Sequence, residues 1–207
     1  MLNRRTFSSA LVLPAVGFGA MQAHAATATV GQAAPDFTAV DALGKTHKLS
    51  DFKGKQVVLE WTNPGCPFVV KHYSGNMQAL QTEFTAKGVV WLSINSTATN
   101  ATDYLPPAKL TAWKTEKKSV ATAMLMDESG KIGQLYSAKT TPHMYIVSPQ
   151  GVLVYAGAID SVPSARVDDI KTATNYIRQG LNEALGGKAI STASTRAYGC
   201  SIKYKDA

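Results

Sequence analysis

Apolar residues come in short runs whose spacing alternates between strand-like and helical. From Val30 to Gly54, Pro35-Asp36-Phe37, Gly44-Lys45 and Gly54-Lys55 separate brief apolar runs, which predicts irregular strands and one hairpin around Gly44. Val57-Val58-Leu59-Glu60-Trp61 is a compact run of strand formers that ends at Asn63-Pro64-Gly65, residues that favour a turn. Helical spacing begins at Cys66. Val69, Tyr73, Met77, Leu80 and Phe84 follow at steps of four, four, three and four along one helix face. Ser74-Gly75-Asn76 interrupts that face with poor helix formers, so a kink is expected, or a restart with Asn76 as the new cap.

The alternation continues downstream. Val89 to Ile94 reads as a strand, Asn95 to Asp103 as a polar loop, and Pro106 or Pro107 as the opening of a helix carrying Leu110 and Trp113. Ala123 to Met126 makes another strand, and a short helix around Ile132 to Tyr136 leads to Thr140-Thr141-Pro142-His143. Met144 to Val147 and Val152 to Ala156 form a hairpin across Ser148-Pro149-Gln150-Gly151. A last helix is expected from about Val167 to Leu185, closed by Gly186-Gly187. Strands alternating with helices, then a hairpin and a helix, predict an α/β fold with a sheet of mixed direction. In the tail, Cys200, Ile202 and Tyr204 alternate with Ser201, Lys203 and Lys205. An extended tail points the first three one way, docks along the body and carries Cys200 to a defined place.

Composition changes the picture mainly at the N-terminus. With 45% apolar and 17% charged residues in 207, the chain has material for one core. Its ordinary Gly and Pro content excludes collagen-like and low-complexity classes. Met1 to Ala25 reads instead as an export signal: Arg4 and Arg5 come first, the apolar stretch Ala10 to Met21 follows, and Ala23-His24-Ala25 matches a cleavage site. That stretch is shorter than the roughly 20 residues of a membrane-spanning helix, so no integral membrane protein is expected. Arg4-Arg5-Thr6-Phe7 ahead of a weakly hydrophobic segment is similar to a twin-arginine signal, with ordinary secretion as the other route. The expected plan is an export signal over 1–25, a folded domain over 26–187 and an extended tail over 188–207, located in the periplasm. Loss of the signal arginines lowers the net charge from +7 to +5. The remaining lysines are dispersed, Lys114, Lys117 and Lys118 reading as a solvated helix face, so no nucleic-acid partner is expected.

Two cysteines are too few for a disulfide scaffold or a four-thiolate zinc site. One disulfide or one reactive site remains open to them. Cys66 stands where a helix begins, and the partial positive charge there favours the thiolate, the reactive form. Pro67 suits the first helical turn, while Pro64 and Gly65 let the preceding turn bring backbone amides near the sulfur. The plain alternative is a buried, inert cysteine.

Together these motifs resemble the thioredoxin-fold proteins, and most closely the alkyl hydroperoxide reductase and thiol-specific antioxidant family, a peroxiredoxin-like branch. The resemblance covers about Val30 to Leu185. It rests on Gly31-Gln32-Ala33-Ala34-Pro35-Asp36-Phe37, on Leu49-Ser50-Asp51-Phe52-Lys53-Gly54-Lys55, on Cys66-Pro67 and on Thr141-Pro142 before a strand. It implies a thioredoxin-like fold: a central mixed β-sheet flanked by helices, with an N-terminal strand extension and a C-terminal tail. It also implies that Pro142 is cis and faces Cys66, with Thr141 offering backbone hydrogen bonds to a bound chain. His143 follows directly and is a candidate proton carrier for Cys66, against the alternative of a solvent-facing or merely hydrogen-bonded histidine.

The departures from the family shape the expected chemistry. Thioredoxins carry C-x-x-C, whereas Asn63 holds the first place here, so a local dithiol is impossible. Peroxiredoxins have Thr-x-x-Cys with a proline four residues before the threonine, and Asn63 and Leu59 occupy those places. Their peroxide-binding arginine has no match by spacing. Cys200 supplies the missing thiol, able to attack an oxidised Cys66. The expected function is an exported thiol-dependent oxidoreductase reducing peroxides or disulfides through Cys66, with Cys200 as resolving thiol. Asn63, Gly65, Pro67, Thr141, Pro142 and His143 support the site. Its partner is a thiol reductant or an oxidised protein substrate, and no cofactor or metal is expected. Cys66, Cys200, His143 and Met144 offer soft copper ligands, but no C-x-x-x-C spacing supports a copper carrier. The competing reading is a redox-inactive binding module in which a Cys66–Cys200 disulfide is a structural staple.

Overall fold

The computed structural model describes residues 27–205; the expected export signal over 1–25 lies outside them. The N-terminal hairpin pairs β1 (Thr38–Asp41) with β2 (Thr46–Lys48). Gly44 turns it with φ of 84°, and Asp41 Oδ1 accepts the Leu43 and Lys45 amides, each at 2.9 Å. Then follow β3 (Val57–Trp61), α1 (Pro67–His72), α2 (Asn76–Thr85), β4 (Val90–Asn95), α3 (Pro107–Glu116), β5 (Ala123–Met126) and α4 (Lys131–Leu135). The chain closes with β6 (Thr140–Thr141), β7 (His143–Val147), β8 (Leu153–Gly157), α5 (Tyr176–Leu185) and β9 (Cys200–Ser201).

Seven strands form one sheet in the order β2-β1-β5-β4-β3-β7-β8. Only β3, β4 and β5 run parallel, joined by helical crossovers; the hairpins add antiparallel strands at both edges. This is the mixed sheet of a thioredoxin-like fold. The central strands β3 and β4 are buried throughout, as apolar runs without polar alternation require. Leu59, Trp61, Leu92, Ile94, Tyr136 and Tyr145 fill the layer on one face. Val58, Val69, Met77, Leu80, Trp91 and Ile177 fill the other, which also holds Cys66. Among the described residues, no helix is long and apolar enough to cross a membrane.

Two expected elements are corrected. The break after α1 occurs as expected, but Gly75 rather than Asn76 stands at the N-cap of α2, with φ of 135° that glycine tolerates and asparagine resists. Asn76 turns back instead, its Nδ2 donating to His72 Nδ1 at 2.9 Å. The last helix begins only at Tyr176, because Asn175 caps it, accepting the Arg178 amide at 2.9 Å. Val167–Lys171 forms a separate 3-10 turn, and Ser161 Oγ accepts the Thr174 amide between the two.

The tail is extended and docked. Ser194 bridges to Ala156 at the β8 edge, and β9 pairs antiparallel with β6 in a two-stranded sheet of its own. Beyond it, Ile202 is buried while Ser201 and Lys203 are exposed, but Cys200 does not share a side with Ile202 and Tyr204 as expected: Cys200 packs against the Cys66 layer and the other two against the opposite one, so the tail crosses the sheet at this point. Tyr204 lies over Gly130 and Gly133, where an added Cβ would come within 2.5 and 2.3 Å of it, and its hydroxyl donates to Ala138 O at 2.7 Å.

Candidate active site

The site is built where β3 stops and α1 begins. Thr62 still donates to Ile94 O at 2.9 Å, extending the β3–β4 pairing by one bond, and then the chain turns. Asn63 organises the turn in three directions. Its Oδ1 accepts the Gly65 amide at 2.8 Å, its carbonyl accepts the Cys66 amide at 3.0 Å, and its Nδ2 donates to Thr97 Oγ1 and Asp103 Oδ2 at 2.9 and 3.0 Å. A side chain on Gly65 would crowd Asn63 Oδ1 at 3.3 Å. Cys66 is the N-cap of α1, and Pro67 takes the first helical position, where no amide is needed.

Cys66 is 3% exposed. Its Sγ lies 3.0 Å from Thr141 O and 2.6 Å from Cys200 Sγ, both sulfurs belonging to free cysteines. Register explains the meeting: Thr141 on β6 is directly opposite Cys200 on β9. The Thr141–Pro142 peptide bond is cis. Burial pushes the Cys200 thiol up to about 12, and the neighbouring Cys66 sulfur pushes in the same direction; Lys203 and the Phe68 amide of α1 oppose them.

His143 is not part of this group. It heads β7 opposite Trp61, and so shares the sheet face of Trp61 and Tyr145 rather than that of Cys66. Its Nδ1 lies 3.3 Å from the Lys139 amide and 3.2 Å from Tyr145 Oη, and the ring meets Tyr145 at a tilt of 36° with centroids 4.6 Å apart. Burial, reinforced by Lys139, lowers its pKa to about 4, so the ring is neutral at pH 7. Met144 is buried on the Cys66 face, and among the described residues no group of three or more His, Cys, Asp or Glu is gathered to hold a metal ion.

Sequence reasoning missed a buried polar cluster beside the sulfurs. Lys71 Nζ, fully buried on α1, reaches Asp160 Oδ2 at 3.3 Å and Val162 O at 3.2 Å. Tyr198 Oη donates to Asp160 Oδ1 and lies 3.3 Å from His72 Nε2; the Tyr198 ring meets Phe68 edge-on at 5.7 Å. Burial lowers the His72 pKa to about 4, partly offset by Asp160. Tyr198 thus fixes the tail two residues before Cys200. No residue spacing announces this cluster, because its members come from α1, the loop after β8 and the tail.

A second buried group lies on the same sheet face. Glu60, the fourth residue of β3, accepts from Tyr73 Oη at 2.8 Å, Trp91 Nε1 at 2.7 Å, Ser93 Oγ at 3.0 Å and Gln81 Nε2 at 3.3 Å. Burial outweighs these bonds and raises its pKa above the ordinary carboxylate value.

Comparison with known proteins agrees with the architecture. The model of the AhpC/TSA family matches residues 30–156. A hypothetical protein from Sinorhizobium meliloti superposes with a TM-score of 0.77 at 24% identity, over 87% of this chain and 97% of that one. An uncharacterised conserved protein from Geobacillus kaustophilus gives 0.72 at 25% identity, over 86% and 94%. The thioredoxin domain of a thiol-disulfide oxidoreductase from Bacteroides vulgatus gives 0.51 at 21% identity, over 70% and 98%. No curated protein sequence matches the chain.

Proposed function

The chain belongs to the AhpC/TSA family, and from that membership and the sulfur pair at the head of α1 we propose a thiol-dependent oxidoreductase with Cys66 as nucleophile and Cys200 as resolving thiol. The observation that carries this reading is the 2.6 Å approach of the two sulfurs, imposed by strand pairing between β9 and β6. The Cys66 thiolate attacks one sulfur of a substrate disulfide, and the other sulfur leaves as a thiolate and takes up a proton. Cys200 then attacks the Cys66 sulfur, releasing the second substrate thiol and leaving a Cys66–Cys200 disulfide. An external thiol reductant returns both cysteines to the reduced state.

The raised Cys200 pKa orders these events. While Cys66 is reduced beside it, Cys200 stays protonated and does not compete for substrate. Oxidation of Cys66 removes its contribution to the raised Cys200 pKa, while burial, the larger cause, remains.

Disulfide exchange is favoured over peroxide reduction by the surroundings of Cys66. Asn63 stands where peroxiredoxins have threonine. Arg166 and Arg178 pair with Asp169 and Glu83, Arg196 is exposed on the tail, and none of these, the arginines of the described residues, bonds to the 63–66 turn. The Met1 to Ala25 pattern supports action outside the cytoplasm, in the periplasm, after cleavage behind Ala25. A structural staple is the second reading, favoured by the burial of Cys66 and by anchors on both sides of Cys200.

Mapping each cysteine by mass spectrometry after stoichiometric oxidant separates the two. The enzyme reading expects turnover to vanish in Cys66→Ser, and Cys200→Ser to react once and stall as a mixed disulfide. A disulfide that resists strong thiols, in a protein that consumes no disulfide or peroxide, establishes the staple instead.

A further inference from the structure

The two-residue strand β6 stands outside the seven-stranded sheet, and among the described residues its one strand partner is the protein's own tail. A bare strand edge is a template for any extended chain. The tail shows what that template accepts. Tyr198 packs on Phe68 and reaches Asp160, Cys200 is opposite Thr141, Ser201 faces solvent, and Ile202 is buried while its amide donates to Lys139 O at 3.1 Å. Gly199 is the most constrained position. Its φ is 139°, and a Cβ there would lie 2.0 Å from Thr141 O and 2.7 Å from Thr141 C. Those are backbone atoms, and the same carbonyl is the one 3.0 Å from Cys66 Sγ, so neither side can give way without disturbing the site.

We infer that the Lys139–Thr141 edge selects its exchange partner by sequence: an extended polypeptide with glycine immediately before its cysteine and an aliphatic residue two positions after it, which binds by displacing the tail. The inference rests on the proposed role of Cys66 as nucleophile and adds the substrate class. The incoming cysteine arrives as a disulfide, and Cys66 attacks its sulfur while the group on the other sulfur leaves as a thiol. The tail then returns, and Cys200 attacks Cys66 and releases the peptide as a thiol. The peptide disulfide gains the two electrons that the Cys66–Cys200 pair loses.

The test uses the full chain carrying Cys200→Ser, in which the first exchange stops as a mixed disulfide. The probes are a peptide of the tail sequence 195–203 and its Gly199→Ala version, each with its cysteine linked to nitrothiobenzoate, whose release is coloured. Rates are normalised to the reaction of each probe with a free small thiol, and dithiobis-nitrobenzoate serves as the small disulfide. The glycine peptide is expected to react about tenfold faster than the alanine peptide, the loss that a modest steric penalty produces. Gly199→Ala placed in the Cys200→Ser protein weakens the resident tail and should raise the rate of the glycine peptide severalfold. Equal rates for the two peptides overturn the sequence rule, and an unchanged rate in the Gly199→Ala protein overturns displacement; in both cases a normal reaction of Cys66 with dithiobis-nitrobenzoate leaves the enzyme reading standing. If that small disulfide also fails to label Cys66, the enzyme reading falls and the inference falls with it.

Discussion

Oxidation should stabilise this protein by an amount that follows from its topology. Cys66 and Cys200 are 134 positions apart, so a bond between them closes most of the folded chain into one loop. In the chain-entropy model a loop of that length costs the unfolded state about 5 kcal/mol, and the native state loses little because strand pairing already holds the sulfurs together. For a domain of this size such a gain corresponds to a rise in Tm of roughly 15 °C. A thermodynamic cycle demands the same energy elsewhere. The disulfide must be favoured in the folded over the unfolded protein by about 5 kcal/mol, or on the order of 100 mV in reduction potential. The assay is urea unfolding of the oxidised protein, the reduced protein and Cys200→Ser, combined with redox titration in native buffer and in denaturant. Reduced protein and Cys200→Ser should agree within about 1 kcal/mol, with the oxidised form well above both. Coincident stabilities for all three, with the bond mapped by mass spectrometry, would refute the reasoning.

Three further perturbations test the surroundings. Glu60→Gln keeps an acceptor for Trp91, Ser93 and Gln81 and can donate to Tyr73 Oη, so it should cost little at pH 5. Because the native pKa of Glu60 is raised, its contribution is fully present below the ordinary carboxylate value and is lost as pH rises through the native one. Stability of the wild type minus that of Glu60→Gln should therefore fall across that window in urea melts at stepped pH, and a flat difference would contradict the shift. Asp160→Asn strands the fully buried Lys71 without a countercharge and should destabilise by about 3 kcal/mol or more in chemical denaturation, whereas a loss under about 1 kcal/mol would show the pair to be dispensable. Gly133→Ala drives a methyl group into Tyr204 and should hasten proteolysis within the tail, with unchanged protection counting against the anchor.

Much of the architecture was legible because periodicity is a local property. The β3 run, the Asn-Pro-Gly stop, the helical face from Val69 to Phe84 and the alternating tail each declare themselves within a dozen residues. The misread boundaries reflect competition between local options. Gly75 takes the cap because the chain there needs a positive φ, and Asn175 caps a shorter helix than the apolar spacing suggested. His143 follows Pro142 directly in sequence, but its pairing with Trp61 decides which face it takes. The contacts of Asn63 span 34 and 40 residues, and that of Lys71 with Asp160 spans 89. Such contacts have no period, so only the folded chain reveals them.

The tail crosses from one side of the sheet to the other as it passes the sulfurs, with Tyr198 against the α1 layer and Ile202 and Tyr204 against the opposite one. Under a pulling force on the C-terminus, the contacts after Cys200 carry the load first and peel one residue at a time. In the reduced protein nothing covalent then stops the peeling, and the segment from Lys188 to Cys200 can follow, adding about 40 Å of slack at roughly 3.5 Å per residue. With the sulfurs bonded, the load passes at Cys200 straight into the start of α1, and the tail upstream is shielded. The oxidation state would then set the mechanical length of the molecule, turning the same strand from a loose end into a tether.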